Sequence, residues 1–440
     1  MKRVAALCSL PALACCLALL SSAPAWAADL TEVADAVDGQ DPFDLEFSAT
    51  FRQNTKYTLI LRERNITGTR TGITPGASIN QGEYEYWRTE NLLDLRLAVG
   101  MYKDLEFHLN LPVVVSRTER YTQAPHWRKK YWAGAYDPNH PLTSGKGDRP
   151  SLLDDYITYN TSETFNAGGH IDDISLGFSW SPFNCYRDDT KPTWTLFFDM
   201  LIPSAPLHDP RDLGFTTEEP IRATKDPALG EKLLVFTLGT ALSKRFQAAD
   251  PYLGLSVDLP VPVGDSLIER PQFAFTIKMG SEFVLFERLK PESIDPRFKI
   301  YFDFNFYATL YTEGDGYPVL TDLMGWRAGD DINNAFPEAW DYTNDGTRPV
   351  AYTLPREESY VHIEGKMALK FQVYEYVRLE TFGTFGHDFE HFIAVQRTRV
   401  LDDWRPDVSE YNRGITEPGK RVKAGSDKNW SWGLGLELSF

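Results

Sequence analysis

The stretch WSWGLGLELSF, residues 430–440, alternates strictly between apolar side chains and side chains that are small or polar. Its even positions hold only tryptophan, leucine and phenylalanine, while its odd positions hold serine, glycine and one glutamate. A period of two sends successive side chains to opposite faces of an extended chain. The stretch therefore predicts a β-strand with one apolar face and one polar face.

The same alternation recurs along the chain and predicts about twelve strands, within a range of roughly ten to fourteen. Many of these stretches reach the length of about 9–11 residues with which a tilted strand crosses a bilayer. An even number of such strands is typical of bacterial outer-membrane barrels. The predicted strands are 45–61, 93–101, 105–113, 174–180, 194–202, 234–242, 253–259, 273–285, 298–310, 361–373, 377–385 and 430–440.

The links between these strands alternate in length. Every second link is short, as around Lys103 and over 374–376, and most of the others are long and polar, as over 118–170 and 312–359. Outer-membrane barrels carry short turns on the periplasmic rim and long loops on the extracellular rim. We therefore predict an all-β fold, a transmembrane antiparallel up-and-down β-barrel with short periplasmic turns and long extracellular loops.

The N-terminal part of the chain predicts export. Residues 1–27 resemble a secretory signal peptide, with a basic start, an apolar run and the small-x-small motif at 25–27. The barrel would then occupy 44–440. Residues 28–43 between them carry Leu30, Val33, Ala34 and Val37 at helical spacing. This leader would be either a short plug in the periplasmic mouth or a disordered segment.

Charge and composition narrow the classes of function. The formal net charge is −17, which argues against a nucleic-acid partner. After the signal, no stretch approaches the roughly 20 apolar residues of a membrane helix. Cys185 is the one cysteine outside the signal, so no internal disulfide is expected in the mature chain.

Two registers follow from matching the apolar faces of neighbouring strands. Met101 should pair with Leu105 across a three-residue connection. Val373 should pair with Val377, which brings Lys370 opposite Glu380 and predicts an ion pair on the inner face.

Aromatic residues near the strand ends predict two girdles at the membrane interfaces. The girdle near the long loops would contain Tyr57, Trp87, Tyr311, Tyr360, Trp430 and Trp432, and the one near the short turns Tyr102, Trp194, Phe246, Tyr252, Tyr374 and Phe440.

The polar faces of the strands would line the lumen. About twelve strands lie between the filled eight-stranded barrel and the open pore of sixteen to eighteen strands, so a narrow path for small solutes is expected. The alternative is an interior closed by ion pairs that carries no flux. The predicted pore-lining residues are Arg96, Glu106, His108, Asn110, Asp199, Lys278, Asp303, Asn305, His362, Glu364, Lys366, Lys370, Arg378 and Glu380.

Four stretches of strand sequence resemble a known group in their order along the chain. They are VGMYKDLEFHLNLPVVV at 99–115, DDISLGFSWSPF at 172–183, TWTLFFDMLIPSA at 193–205 and ALSKRF at 241–246. The order is similar to that in outer-membrane proteins assigned to the meta-pathway of phenol degradation. The resemblance implies a barrel for the uptake of aromatic or other hydrophobic compounds. The Leu-Pro-Thr-Gly turn frequent in that group is replaced here by Ile202-Pro203-Ser204-Ala205.

Catalysis is not expected. The His-x-Ser-Asn-Gly motif of outer-membrane phospholipases does not occur in the sequence. His387 and His391 stand four apart beside two acids, a spacing that could bind metal on a helix, but they follow a strand and enter a loop. We expect neither metal nor cofactor.

These observations predict a channel of the cell outer membrane for passive uptake of small molecules, hydrophobic or aromatic ones included. The alternative is a non-conducting barrel whose extracellular loops bind a surface ligand or partner, and a barrel enzyme is a third class. Lipid, lipopolysaccharide, the barrel-assembly machinery and a small solute are the expected partners. An alternation that ends in phenylalanine resembles the signal read by the assembly machinery, and it would consist of Trp432, Leu434, Leu436, Leu438 and Phe440.

Overall fold

The computed structural model describes residues 28, 30–34, 44–65, 78–123, 162–185, 188, 190–208, 229–246, 248–289, 296–319, 356–374, 376–393 and 422–439. The predicted signal peptide and Phe440 lie outside these residues. Over the described ranges, regular structure consists of β-strands and contains no α-helix. Accordingly, these ranges hold no helix with the length and apolar character that a membrane span requires.

Twelve long strands form the body of the protein. They are β1 (Leu45–Asn65), β2 (Ser78–Tyr102), β3 (Leu105–Gln123), β6 (Ile174–Phe183), β7 (Thr193–Ile202), β8 (Leu233–Ser243), β9 (Ala249–Pro262), β10 (Ala274–Leu289), β11 (Pro296–Tyr311), β14 (Tyr360–Val373), β15 (Val377–Asp388) and β18 (Asp427–Ser439). Six short strands lie among the long loops. They are β4 (Ser162–Ala167), β5 (His170–Ile171), β12 (Gly314–Asp315), β13 (Arg356–Glu357), β16 (His391–Phe392) and β17 (Val422–Ala424).

The twelve long strands close into a single antiparallel barrel. Each pairs with the next long strand along the chain, and β1 pairs with both β2 and β18, which closes the ring. Closure leaves none of the twelve long strands with an open edge over its full length. The predicted fold and the count of twelve strands are confirmed.

The outer surface of the barrel is apolar. Large side chains on the predicted apolar faces are exposed around the ring, among them Leu97, Leu255, Met279, Phe304 and Leu434. A soluble monomer rarely exposes apolar patches larger than a few hundred Å². An apolar band that surrounds a closed barrel is the surface that a lipid bilayer covers.

The connections segregate between the two rims as predicted. The links from β2 to β3, β6 to β7, β8 to β9, β10 to β11 and β14 to β15 are short, and both barrel ends of the chain lie on the same rim. The longer links lie on the opposite rim. We call these the short-turn rim and the long-loop rim.

The first short turn differs from its prediction. The body of the β2–β3 pair has the expected register, with Val99 opposite Phe107. Near the turn, however, a bulge lets Tyr102 rather than Met101 pair with Leu105. The connection therefore has two residues, and Asp104 adopts a positive φ of 50°, which aspartate tolerates better than most residues.

A second bulge changes which face of β3 points inward. The register shifts so that Ser116 opposes Asn91 while Val114 opposes Leu92, leaving Val115 unpaired and half exposed. A bulge adds one residue and so reverses the alternation beyond it. As a consequence Glu119 and Tyr121 are buried inside the barrel. Both are odd-numbered like the outward-facing Leu109, so an uninterrupted alternation would have turned them outward.

The girdle prediction is wrong for three tyrosines. Tyr311 and Tyr360 line a cavity inside the barrel, and the hydroxyl of Tyr252 donates to Asp303 on the inner face at 2.8 Å. Each tyrosine stands at one of the alternate positions of its strand whose side chains point into the barrel. Alternation along the strand therefore sets its orientation, even though it lies near a strand end. Tyr57, Trp87 and Trp430 do cluster: the ring centroid of Trp87 lies 4.6 Å from that of Tyr57 and 6.1 Å from that of Trp430.

Candidate functional site

The lumen near the short-turn rim holds a chain of charged groups across four barrel strands. Arg96 on β2 lies 3.7 Å from Glu46 on β1 and also contacts Glu106 on β3. His108 places Nδ1 3.0 Å from Glu106 and Nε2 2.6 Å from Asp199 on β7. Four of the predicted lining residues thus form one hydrogen-bonded group, since inward positions of neighbouring strands lie side by side.

Gly177 makes the contact between His108 and Asp199 possible. It stands on β6 between these two residues in register, and a Cβ at Gly177 would lie 2.2 Å from Asp199 Oδ1 and 2.6 Å from His108 Nε2. Any larger side chain would occupy the space of the hydrogen bond.

Lys370 is the centre of a second group. Its side chain is almost fully buried, and Nζ lies 3.1 Å from Glu282 and 3.8 Å from Asp303. Asn305 donates to the same Asp303 at 3.1 Å. Two carboxylates thereby flank one ammonium group, which is how a buried charge is accommodated.

The predicted register of β14 and β15 is confirmed, whereas the ion pairs run differently. Lys370 does stand opposite Glu380. Glu380, however, lies 2.6 Å from Nζ of Lys366, and Lys370 reaches across to β10 and β11. Lys370 thus passes its neighbour on β11 to reach Glu282, and Lys366 contacts a residue four positions from Thr384, its partner in register.

A third group lies toward the long-loop rim. His362 contacts Asp388 and lies 3.7 Å from Glu364, whose carboxylate also accepts from Tyr307. Nζ of Lys56 on β1 lies between two carboxylates, 2.9 Å from Asp388 and 2.8 Å from Asp427. The sequence singled out His362 and Glu364 but none of the other members.

The remaining predicted residues also face inward. Asn110 donates to Ser175 at 2.9 Å, Lys278 lines a cavity with Asp199 and Lys370, and Arg378 lies 3.1 Å from Glu437. Their location inside the barrel agrees with the alternation, while their role in conduction stays a prediction.

The described part of the leader, Ala28 and residues 30–34, lies inside the barrel near the short-turn rim. Thr31 Oγ1 lies 2.7 Å from Ser243 Oγ, and the backbone N–H of Ala34 donates to Glu106 at 2.9 Å. Glu32 accepts two hydrogen bonds from Arg378, each of 3.0 Å. The segment therefore contacts β3, β8 and β15, which stand on different sides of the ring.

The lower chamber is a cavity of about 340 Å³ beside this leader. Its walls include Leu30 and Glu32 of the leader together with Arg96, Asp199, Lys278, Glu282 and Lys370 of the barrel. Both acidic and basic side chains line it, so a polar solute would find both hydrogen-bond donors and acceptors.

The upper chamber is a cavity of about 400 Å³ near the long-loop rim. Barrel residues such as Lys56 and Tyr311 form its wall, and loop residues such as Glu231, Tyr317 and Glu357 fold inward over it. Arg356, next to Glu357, holds the loop by lying 3.5 Å from Asp315. The sequence analysis did not predict this chamber, because the loop sequences that contribute to it show no alternation typical of strands.

The described residues contain no group of three histidine, cysteine or acidic side chains arranged to hold a metal ion. His387 and His391 are separated by the end of β15 and lie on different strands. Nδ1 of His387 lies 2.8 Å from the backbone oxygen of Asp427, and that of His391 lies 2.7 Å from the backbone oxygen of Phe389. Each of these rings is thus oriented by a backbone carbonyl.

Comparisons with known proteins add the following. No protein-family model matches the sequence, and no curated protein matches it significantly, so the family resemblance has no support from either search.

Among solved structures, an outer membrane channel from Pseudomonas putida F1 matches with a TM-score of 0.40 and 11% identity, over 92% of this chain and 100% of that one. A Pseudomonas aeruginosa FadL homologue matches with a TM-score of 0.30 and 7% identity, over 90% of each chain. The outer membrane protease OmpT from Escherichia coli matches with a TM-score of 0.27 and 8% identity, over 90% of this chain and 96% of that one. Likenesses this weak do not assign a function.

Proposed function

We propose that the protein is a channel of the cell outer membrane that admits small molecules by passive diffusion. The observation that supports it best is a closed barrel with an apolar exterior whose lumen is lined by polar side chains and contains two chambers. A barrel that served only as a scaffold would need no internal cavities, because side chains can fill the interior of small barrels.

The lining favours small polar or charged solutes. Charged side chains of both signs surround the lower chamber, and burying a hydrophobic solute among them would cost the solvation of those charges. The aromatic cargo implied by the sequence resemblance would find apolar surface in the upper chamber, at its tyrosines and at aliphatic residues such as Leu233 and Ile268.

The leader acts as a plug in this proposal. Its contacts with Glu106, Ser243 and Arg378 hold it across the lumen at the short-turn rim. Hydrogen bonds and one ion pair, rather than a large apolar interface, make these contacts, so displacement at a modest cost is expected. Residues 1–27 would be removed as the signal peptide, and residues 44–440 would form the barrel.

The second candidate function is a barrel that conducts nothing and binds a partner through its long loops. The buried ion pairs around Lys370 and the leader within the lumen favour it, because both reduce free space inside the barrel. Only the channel would let solutes cross the membrane, so a measurement of solute uptake distinguishes the two candidates.

Solute uptake by proteoliposomes tests the proposal. The purified protein and a variant that lacks residues 28–43 would be reconstituted, and entry of a small polar solute would be followed by swelling. We expect uptake above that of empty liposomes, and faster uptake in the variant. No uptake in either preparation, with correct folding shown by a heat-modifiable gel shift, would refute the channel.

A further inference from the structure

Glu231 and Glu357 present two carboxylates to the upper chamber that no hydrogen bond or ion pair of the described residues reaches. Glu357 is more than nine-tenths buried, with 8% of its surface exposed. Its Oε2 faces the backbone at Gly316, where an added Cβ would lie 3.2 Å away. Buried carboxylates are normally paired or hydrogen-bonded, so a pair left open to a cavity points to a missing partner.

Two of the three cations in the wall are bound to other carboxylates. Lys56 is held between Asp388 and Asp427, and Arg117 is held by Glu119, which leaves Arg88 as the other strong base of the lining. Six carboxylates and three lysine or arginine side chains line the chamber in all. The field inside the chamber is therefore negative.

Burial shifts the protonation of the two glutamates. It raises the pKa of Glu357 to about 7, while the charge of Lys56 opposes this shift and the charge of Glu231 adds to it. Burial likewise raises the pKa of Glu231 to about 7, although the charge of Arg117 opposes the shift. A positively charged partner would stabilise the ionised form of both groups.

Part of the wall is aromatic. Tyr360 stacks on His391 with ring centroids 4.0 Å apart and on Tyr311 at 4.8 Å. Burial lowers the pKa of His391, which keeps that ring neutral near pH 7 and adds no positive charge. Aromatic rings beside carboxylates attract an organic cation through both its charge and its apolar part.

We propose that the upper chamber binds a small organic monocation of the primary-amine class, with Glu231 and Glu357 as the groups that hold its ammonium. The volume of about 400 Å³ lies in the range of small-molecule sites. A bare metal ion is less suited, because the described residues offer no three-ligand group. This inference rests on the proposed channel and names the class of solute that it would select.

Calorimetric titration of the protein in detergent micelles at pH 8, above the raised pKa of both glutamates, tests the site without any conduction. The probe is benzylammonium, and benzyl alcohol serves as its neutral counterpart of similar shape. We expect benzylammonium to bind at least about tenfold more tightly, because hydrogen bonds to charged groups contribute more than neutral ones. Equal binding of the two compounds, or binding of neither, would overturn the inference.

Variants then locate the binding. Glu357→Gln and Glu231→Gln keep the size of each side chain, and each should weaken benzylammonium binding by about tenfold. Asp188→Asn is the matched control, because it removes one carboxylate in the turn between β6 and β7, at the opposite rim, where Asp188 pairs with Lys191 at 2.9 Å. Wild-type affinity in both glutamine variants would contradict the site. A heat-modifiable gel shift verifies the fold of each variant.

The outcomes separate this site from the channel itself. Amine binding in micelles without current in bilayers would support the binding site and refute the channel. Current with no preference for the amine over the alcohol would leave the channel and remove the site.

Discussion

Arg378 on β15 donates from Nη2 to both carboxylate oxygens of Glu32 in the leader, at 3.0 Å each, and also lies 3.1 Å from Glu437 on β18. One guanidinium therefore ties a segment inside the lumen to the wall of the barrel. Because Glu32 and Arg378 are only partly buried, the pair contributes modestly, on the order of 1 kcal/mol.

The first prediction concerns this tie. Glu32→Gln should loosen the leader, and about 1 kcal/mol corresponds to roughly a fivefold rise in the population of the displaced state. Planar-bilayer recordings should show a correspondingly larger open fraction. Glu437→Gln is the control, since it removes a partner of Arg378 in the barrel wall and leaves the contact between Arg378 and the leader in place. An equal open fraction in both variants would show that the leader does not obstruct the lumen.

The second prediction concerns the stability of the barrel interior. Lys370→Met removes the ammonium group that contacts the carboxylates of Glu282 and Asp303, and breaking a buried pair in this way costs about 3–5 kcal/mol. Urea unfolding in detergent micelles should therefore shift to a lower midpoint. Lys366→Met should cost only about 1 kcal/mol, because its pair with Glu380 is partly exposed. Equal losses in the two variants would contradict the assigned environments.

The third prediction concerns assembly. Strand β18 pairs with β1 to close the barrel, and Trp432, Leu434 and Leu436 lie on its exposed apolar face. If the apolar alternation that ends at Phe440 is the assembly signal, deletion of Phe440 should reduce the protein in the outer-membrane fraction while export to the periplasm continues. Phe440→Tyr keeps a terminal aromatic residue and should assemble normally. Unchanged assembly of the deletion would exclude Phe440 as the signal.

Much of the barrel could be predicted because strand alternation is a local property. The register that sets Lys370 opposite Glu380 followed from matching two apolar faces across a short turn. The bulge at Val115 was not predicted, because the three valines at 113–115 interrupt the alternation without showing which residue stays unpaired until the partner strand is known. Tyr121 was missed for that reason.

The candidate site was only partly predictable for a different reason. Arg96, Glu106, His108 and Asp199 were each identified as inward-facing, but their union in one group depends on Gly177 standing between two of them. The upper chamber was not foreseen, because loop residues such as Glu357 reach it through long-range packing that has no period in the sequence.

The claim that solutes pass through the lumen is tested most directly by cysteine modification during single-channel recording. Lys278 lines the lower chamber, whereas its neighbour Met279 is half exposed on the outer face. In a Cys185→Ser background, Lys278→Cys and Met279→Cys would each be treated with a charged methanethiosulfonate reagent. We predict that the reagent lowers the conductance of the Lys278→Cys channel and leaves that of the Met279→Cys channel unchanged. Absence of any current, or an equal response of the two variants, would contradict a path through the lumen.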